Sequence, residues 1–361
     1  MKPDADNNLS VVLYAKRDLR LENRSVPQPG NNEVQIAINK VGICGSDVHY
    51  WSDGKHGEFV LTDPLVIGHE SSGTVTSIGN GVSHLKIGDR VAIEPATPCR
   101  LCFYCKSGRY NMCLDVKGLA TPPTDGSLCR YFVHAADLCH KIPDKLTFED
   151  GALAEPLSCG IHACRRAGVS LGDKVLVLGA GPIGIICMLV AKSMGASEIL
   201  ITDIDAERLN FAKKVGADHT LLIEKQQIPE LVETIVATFG GEMADITIEC
   251  SGAESSIRLG VYATRPCGVL QLVGIGKQEV MFPIVNAAIR EVDIRGMHRY
   301  VNTYPTALKM MASGAIDASV LITHRFTLEQ TLAAFETFCD RASGAVKVMI
   351  ECSSPTLSSS T

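Results

Sequence analysis

The sequence predicts an α/β protein of two architectures: an all-β lobe read as a partly open barrel, and a doubly wound parallel sheet. Three features carry this: short β-rich runs up to about Leu138, a glycine-punctuated strand-to-helix passage, and strands alternating with helices after it. The β-rich runs are VVLYA, VQIAI, SGTVTSIG, RVAIEP and CRYFVHA, set apart by turn signals such as Gly79-Asn80-Gly81 and Gly88-Asp89. Past Leu171, KVLVLGAGPIGIICMLVAKSMGA reads as buried strand, glycine turn and helix. The strand EILITD, the helix AERLNFAKKVGA and the strands DITIEC and GVLQLVGIG follow. Beyond about Gly296, helices are expected around 305–312 and over 328–338, then a last strand, AVKVMIEC. The polar tail SSPTLSSST is expected to be disordered.

A length of 361 residues allows about two domains, and 46% hydrophobic against 20% charged residues suits large cores. The formal charge of −6, with Lys and Arg scattered, offers no surface for nucleic acid. MKPDADNNLS has no apolar h-region, so no secretory signal is expected. Without one, 14 cysteines point to a reducing compartment, the cytoplasm, where thiols are buried or bind metal. Val175–Ala191 carries no charge, but it is short of the ~20 residues of a bilayer helix and is broken by Gly179, Gly181, Pro182 and Gly184.

Gly179-Ala180-Gly181-Pro182-Ile183-Gly184 satisfies G-x-G-x-x-G. It follows a strand, opens a helix, and has Asp203 at the end of the next strand, 19 residues after Gly184. The first glycine suits the tight turn, the second the approach of a pyrophosphate, and the third close helix–strand packing. The helix N-terminus then faces the phosphates. A carboxylate at Asp203 can accept from the ribose hydroxyls and repels a 2′-phosphate, which favours NAD(H) over NADP. Arg208 could lie over the adenine.

Two clusters suit a metal. Cys44 in VGICGSDVHYW and His69-Glu70 in VIGHESSG would supply three ligands and leave a fourth position open, if their loops converge. Taken singly, Cys44 reads as a buried hydrophobe and His49 as an ordinary histidine. Cys99, Cys102, Cys105 and Cys113 follow C-x2-C-x2-C-x7-C, four soft ligands with no open position, as in a closed structural zinc site. A disulfide knot and a redox switch are the alternative readings of these four.

GHE, the four-cysteine lobe, EPLS and GAGPIG occur in the order found in zinc-dependent medium-chain dehydrogenases, and the chain resembles that family from about Leu9 to Glu351. CGSDVHYW, HAADLCHKIPD, EPLSCGIHACRRAG and REVDIRGMHRY resemble its animal-type polyol branch. The resemblance implies a GroES-like catalytic domain over 1–158 completed by 297–361, a Rossmann NAD-binding domain over 159–296, and a homotetramer. It implies two zincs per chain: a catalytic one on Cys44, His69 and Glu70, and a structural one on the four cysteines. Glu155 stands where simple alcohol dehydrogenases have a cysteine ligand; its counterpart in the polyol branch binds water or substrate at the metal. Tyr50, Arg299 and Tyr300 match positions that contact the polyol, and Phe59 is expected as an apolar wall. His298 departs from a position that is often aromatic. Ser46, His49 and Glu155 are the candidates for moving the proton, and Ile183, Val273, Gly274, Ile275 and Arg299 join the nucleotide residues. The implied reaction is reversible oxidation of sorbitol to fructose with NAD. Xylitol or L-arabinitol are alternative substrates, and a non-catalytic NAD-binding protein is the alternative of another class. No membrane or nucleic-acid partner is expected.

Overall fold

The computed structural model describes residues 7–353. From residue 354 onward, the tail expected to be disordered lies outside the described residues. The chain divides into two compact units, Met1–Glu155 with Tyr304–Thr361, and Pro156–Thr303.

The first unit is built around the strand Glu33–Gly42. Its sheet runs Cys139–Lys141, Arg90–Ile93, Glu70–Ile78, Glu33–Gly42, Lys347–Glu351, Ile322–Thr327, and Tyr131–Ala135 also pairs with Glu33–Gly42. Only the junction of Ile322–Thr327 with Lys347–Glu351 is parallel. A smaller sheet joins Asp18–Arg24, Asn8–Ala15 and Leu65–Val66. Val11, Ile36, Val75, Ile93, Leu128, Phe335 and Ile350 pack into one buried core. Register does the positioning. Gly42 lies opposite Glu70 on one side and Met349 on the other, so one end of the sheet gathers residues from three distant stretches.

A helix, Gly45–Asp53, interrupts this β-rich region where no helix was expected. Its local cause is visible in the chain: Cys44 is the N-cap, the Asp47 carboxylate accepts from the Cys44 N–H at 3.2 Å, and Gly54 closes the end at φ 74°.

The second unit holds six parallel strands in the order His219–Leu222, Glu198–Asp203, Lys174–Leu178, Ala244–Glu249, Thr264–Leu272, Asp293–Gly296. By position in the chain this is 3-2-1-4-5-6, the doubly wound order. Its crevice opens where the order reverses, between Lys174–Leu178 and Ala244–Glu249. KVLVL has no alternation because strands of a covered parallel sheet are buried on both faces. The helix Ala206–Lys214 is capped by the Asp205 side chain, which accepts from the Glu207 and Arg208 N–H groups, and it ends on Lys213 and Lys214.

Two expectations shift here. The strand read as GVLQLVGIG runs instead from Thr264 to Leu272, and Val273 and Gly274 leave it to donate their N–H groups to the Glu249 carbonyl. A strand, His219–Leu222, and a helix, Ile228–Thr238, stand where the sequence predicts no element. The strand is a short, half-buried edge, which leaves little hydrophobic alternation to detect.

Candidate active site

Cys44, His69 and Glu70 converge: one donor atom from each lies within 4.8 Å of the others. Cys44 ends the turn before the helix Gly45–Asp53, and His69 and Glu70 open the strand Glu70–Ile78. Asp47, three residues beyond Cys44, ties the two loops together. Its Oδ1 accepts from the Gly68 N–H at 3.0 Å and lies 3.4 Å from His69 Nδ1, and its Oδ2 takes the Cys44 N–H. With Nδ1 turned to Asp47, Nε2 is the nitrogen that a metal would take. Burial works to raise the Asp47 carboxyl, but the His69 charge and the backbone donors hold it below the usual carboxylate range.

Glu70 is 1% exposed and meets a cation of the chain itself. Lys347 Nζ donates to Glu70 Oε1 at 2.6 Å, to Oε2 at 2.7 Å and to the Ile43 carbonyl at 3.1 Å. Burial disfavours the ammonium, yet Glu70, Cys44 and Glu155 together raise its pKa. Gly42 is required beside this pair, because a Cβ there would overlap Glu70 Oε2. Lys347 was missed in the sequence since it lies 277 residues from Glu70. The donor set mixes a thiol, an imidazole and a carboxylate in a mostly buried site, which fits a zinc with an open position.

Glu155 is buried and close enough for its charge to act on Lys347. Ser46 is half-buried on the helix that follows Cys44. His49 is exposed, with Nδ1 3.2 Å from Asp53 Oδ2 and its ring stacked on His56 at 5.6 Å, while the buried Tyr50 meets His56 edge-on at 6.1 Å. Phe59 is half exposed on the strand Phe59–Val60. In the second unit, Tyr300 is buried, His298 is exposed, and Arg299 sits at φ 49° with a buried Nη1 that has no hydrogen-bond partner.

The sulfurs of Cys99, Cys102, Cys105 and Cys113 also lie within 4.8 Å of one another. Cys99 and Cys105 sulfurs are 3.9 Å apart, and those of Cys102 and Cys105 3.5 Å. A disulfide needs about 2.05 Å. Four thiolates at ~2.3 Å around a tetrahedral zinc stand roughly 3.8 Å from each other, so the spacing suits the metal. Cys99 N donates to Cys113 Sγ and Cys102 N to Cys99 Sγ, both at 3.3 Å. N–H groups of Leu101 and Cys102 pull the Cys99 thiol down to about 6, while desolvation and neighbouring thiols push Cys105 up to about 12. A cation is what allows all four to be thiolates at once.

In the second unit, Gly179 turns at φ 103°, and Gly181 and Pro182 begin the helix Pro182–Ser193. A Cβ on Gly184 would overlap the Gly179 carbonyl oxygen, whereas one on Gly181 would meet nothing within 4 Å. That open space beside a helix N-terminus fits a pyrophosphate. Asp203 Oδ2 accepts from Ala180 N at 2.7 Å and Oδ1 from Asp205 N at 3.0 Å. The carboxylate thus fastens the glycine loop, and each oxygen keeps a lone pair for a ribose hydroxyl. Ile183 is half-buried on the same helix. Arg208 and Ile275 are exposed, and Val273 and Gly274 are half-buried in the loop beyond Thr264–Leu272. Among the described residues, no helix is long and apolar enough to cross a membrane.

Comparison with known proteins shows the family. The family model of the alcohol dehydrogenase GroES-like domain matches residues 30–144, and that of the zinc-binding dehydrogenases matches 182–313. Sorbitol dehydrogenase of Gallus gallus is 54% identical over 345 residues, 96% of each chain, and that of Homo sapiens 53% over 346 residues with the same coverage. An alcohol dehydrogenase of E. coli CFT073, solved in complex with NADH, superimposes with a TM-score of 0.88 at 26% identity, over 96% of this chain and 99% of that one.

Proposed function

The chain belongs to the zinc-dependent medium-chain dehydrogenases, oxidoreductases that act on CH–OH groups, and from that premise we propose that it oxidises sorbitol reversibly to fructose with NAD. The observation that carries the reading is the convergence of Cys44, His69 and Glu70, with the buried Glu155 acting on the same Lys347 charge. We assign catalysis to the domain over 1–158 completed by 297–361 and nucleotide binding to 159–296, within a few residues of the two compact units of the chain.

Zinc held by Cys44, His69 and Glu70 would supply Lewis acidity towards a substrate hydroxyl, and NAD would accept the hydride. The remaining work falls to side chains. Asp47 orients His69 and the Cys44 turn. Glu155 accepts a hydrogen bond from a polyol hydroxyl, a task a thiol in its place would perform poorly. Ser46 receives the departing proton, and His49, which reaches solvent beside Asp53, passes it outward. Tyr50 and Tyr300 bind hydroxyls of the polyol, the unpartnered Arg299 Nη1 supplies a further donor, and Phe59 borders the carbon chain. Asp203 accepts from the adenosine ribose and disfavours NADP, Arg208 covers the adenine, and Gly179, Gly181, Ile183, Gly184, Val273, Gly274 and Ile275 border the rest of the nucleotide. Cys99, Cys102, Cys105 and Cys113 hold the structural zinc. The homotetramer is carried by the family resemblance, and exposed apolar side chains, Phe103 and Leu114 on the four-cysteine lobe and Met281, Val285 and Ile289 on the second unit, support self-association. Cysteines spaced for a metal rather than for disulfides, such as Cys99, Cys102 and Cys105, support a reducing cytoplasm.

The test is a panel of polyols and ketoses with NAD(H) and NADP(H), followed at the nicotinamide absorbance band, alongside metal analysis of the same preparation. Turnover of sorbitol with NAD by protein carrying about two zincs per chain is expected. A preference for NADP, no turnover of any polyol, or full turnover by zinc-depleted Cys44→Ala protein would each overturn the reading.

A further inference from the structure

The strand Ala244–Glu249 ends on a carboxylate that belongs to neither the metal ligands nor the glycine loop. Glu249 has no exposed surface and, among the described residues, no Lys or Arg pairs with it. Its Oε1 accepts from Ser251 N at 2.8 Å, Ser251 Oγ at 2.5 Å and Gly252 N at 3.0 Å; its Oε2 also accepts from Gly252 N at 3.0 Å. The carbonyl of the same residue accepts from Val273 N at 2.8 Å and Gly274 N at 2.9 Å. One residue therefore fastens two loops, its own and the one beyond Thr264–Leu272.

Those loops interlock backbone against backbone. A Cβ on Gly252, which turns at φ 71°, would lie 2.6 Å from the Ile275 carbonyl carbon, and one on Gly274 would lie 2.7 Å from that of Ser251. On its other side the Ser251 turn touches the phosphate loop: a Cβ on Gly179 would stand 3.3 Å from Ser251 N and Cβ. The turn held by Glu249 is thus wedged between the glycine loop and Val273–Gly276, at the point where the strand order reverses and a nucleotide is received. Burying a carboxylate without a countercharge is costly, and the Ser251 and Gly252 donors offset that cost here. What the carboxylate adds is several directed hydrogen bonds that fix the Ser251–Gly252 turn, the surface against which Val273–Gly276 packs.

We propose that Glu249 is a positioning residue for the dinucleotide, holding the Ser251–Gly252 turn against Val273–Gly276 so that the crevice keeps the width the cofactor needs. It rests on the reading that this unit binds NAD, and NADH binding by the parent chain checks that reading separately.

The test is fluorescence titration of zinc-loaded, full-length protein with NADH, together with KM for NAD, kcat and zinc content. Glu249→Ala is expected to weaken NADH binding and raise KM for NAD by about tenfold or more, the scale of losing hydrogen bonds to a charged group. In it, kcat changes by less than about threefold and zinc content stays at the parent value, because the clamp lies outside the metal ligands. Glu249→Gln, which keeps one oxygen for the Ser251 and Gly252 donors, should restore binding to within roughly threefold of the parent. A folded Glu249→Ala that binds NADH as the parent does overturns the proposal, as does a loss confined to kcat. If Glu249→Ala fails to fold, Ser251→Ala decides: affinity weakened about threefold or more supports the clamp, and parental affinity overturns it.

Discussion

Lys347 and Glu70 form an ion pair 3% and 1% exposed, and such a pair is informative for what each partner suffers alone. Removing one leaves a buried charge uncompensated, at a cost of about 3–5 kcal/mol. Lys347→Met should therefore lower the melting temperature of the metal-free protein sharply. Added zinc should recover more stability in this variant than in the parent, because a cation on Cys44, His69 and Glu70 would neutralise the stranded carboxylate. Thermal melts with and without zinc measure this, and equal zinc-induced shifts in both proteins would contradict it. Asp47 works at the same scale: a single carboxylate accepts from Cys44 and Gly68 and stands beside His69, so it orders the ligands before any metal arrives.

Among the elements, the glycine loop separates binding from folding. Gly181 has open space where a Cβ would go, and Gly184 has the Gly179 carbonyl. Gly181→Ala should keep the parent melting temperature yet bind NADH at least about tenfold more weakly, since its methyl enters the space a pyrophosphate would use. Gly184→Ala should lose stability as well, on the order of 1–3 kcal/mol, because the helix must shift away from the strand. Melting curves paired with NADH titration separate the two. The four-cysteine lobe is a brace in the same sense: Cys102→Ala should lose one zinc per chain and stability or assembly before the hydride step suffers. Metal analysis with single-turnover kinetics checks this, and a slowed hydride step in a fully stable variant would count against it. Both elements were readable in the sequence because strand, glycines, helix and acid, or four cysteines, lie within short windows.

At the scale of the molecule, each unit buries a histidine whose charge is disfavoured. Burial lowers His134 in the first unit; burial, with Arg166 and Arg165 adding to it, takes His162 in the second down to about 4. In the unfolded chain both titrate near 6.5. The stability they allow is present above that value and is lost as pH falls from about 6.5 towards 4, where the unfolded chain takes up protons that the folded one refuses. The His162 share is on the order of 1–3 kcal/mol. His162→Gln should flatten the decline in denaturant unfolding between pH 7 and pH 4.5, and an unchanged slope would remove His162 as its cause. By itself the sequence determined the two architectures, the phosphate loop with Asp203, the four-cysteine site and the candidate ligands Cys44, His69 and Glu70. Each rests on residue types at short spacing, which local backbone geometry obeys. Only the tertiary structure decided that Cys44 meets His69 and Glu70, that Lys347 closes on Glu70 from 277 residues away, and that Glu249 clamps two loops. Those contacts follow from strand register, in which Gly42 faces both Glu70 and Met349, and from the order of parallel strands. Register and strand order are settled by packing over the whole sheet, so no short stretch of sequence contains them.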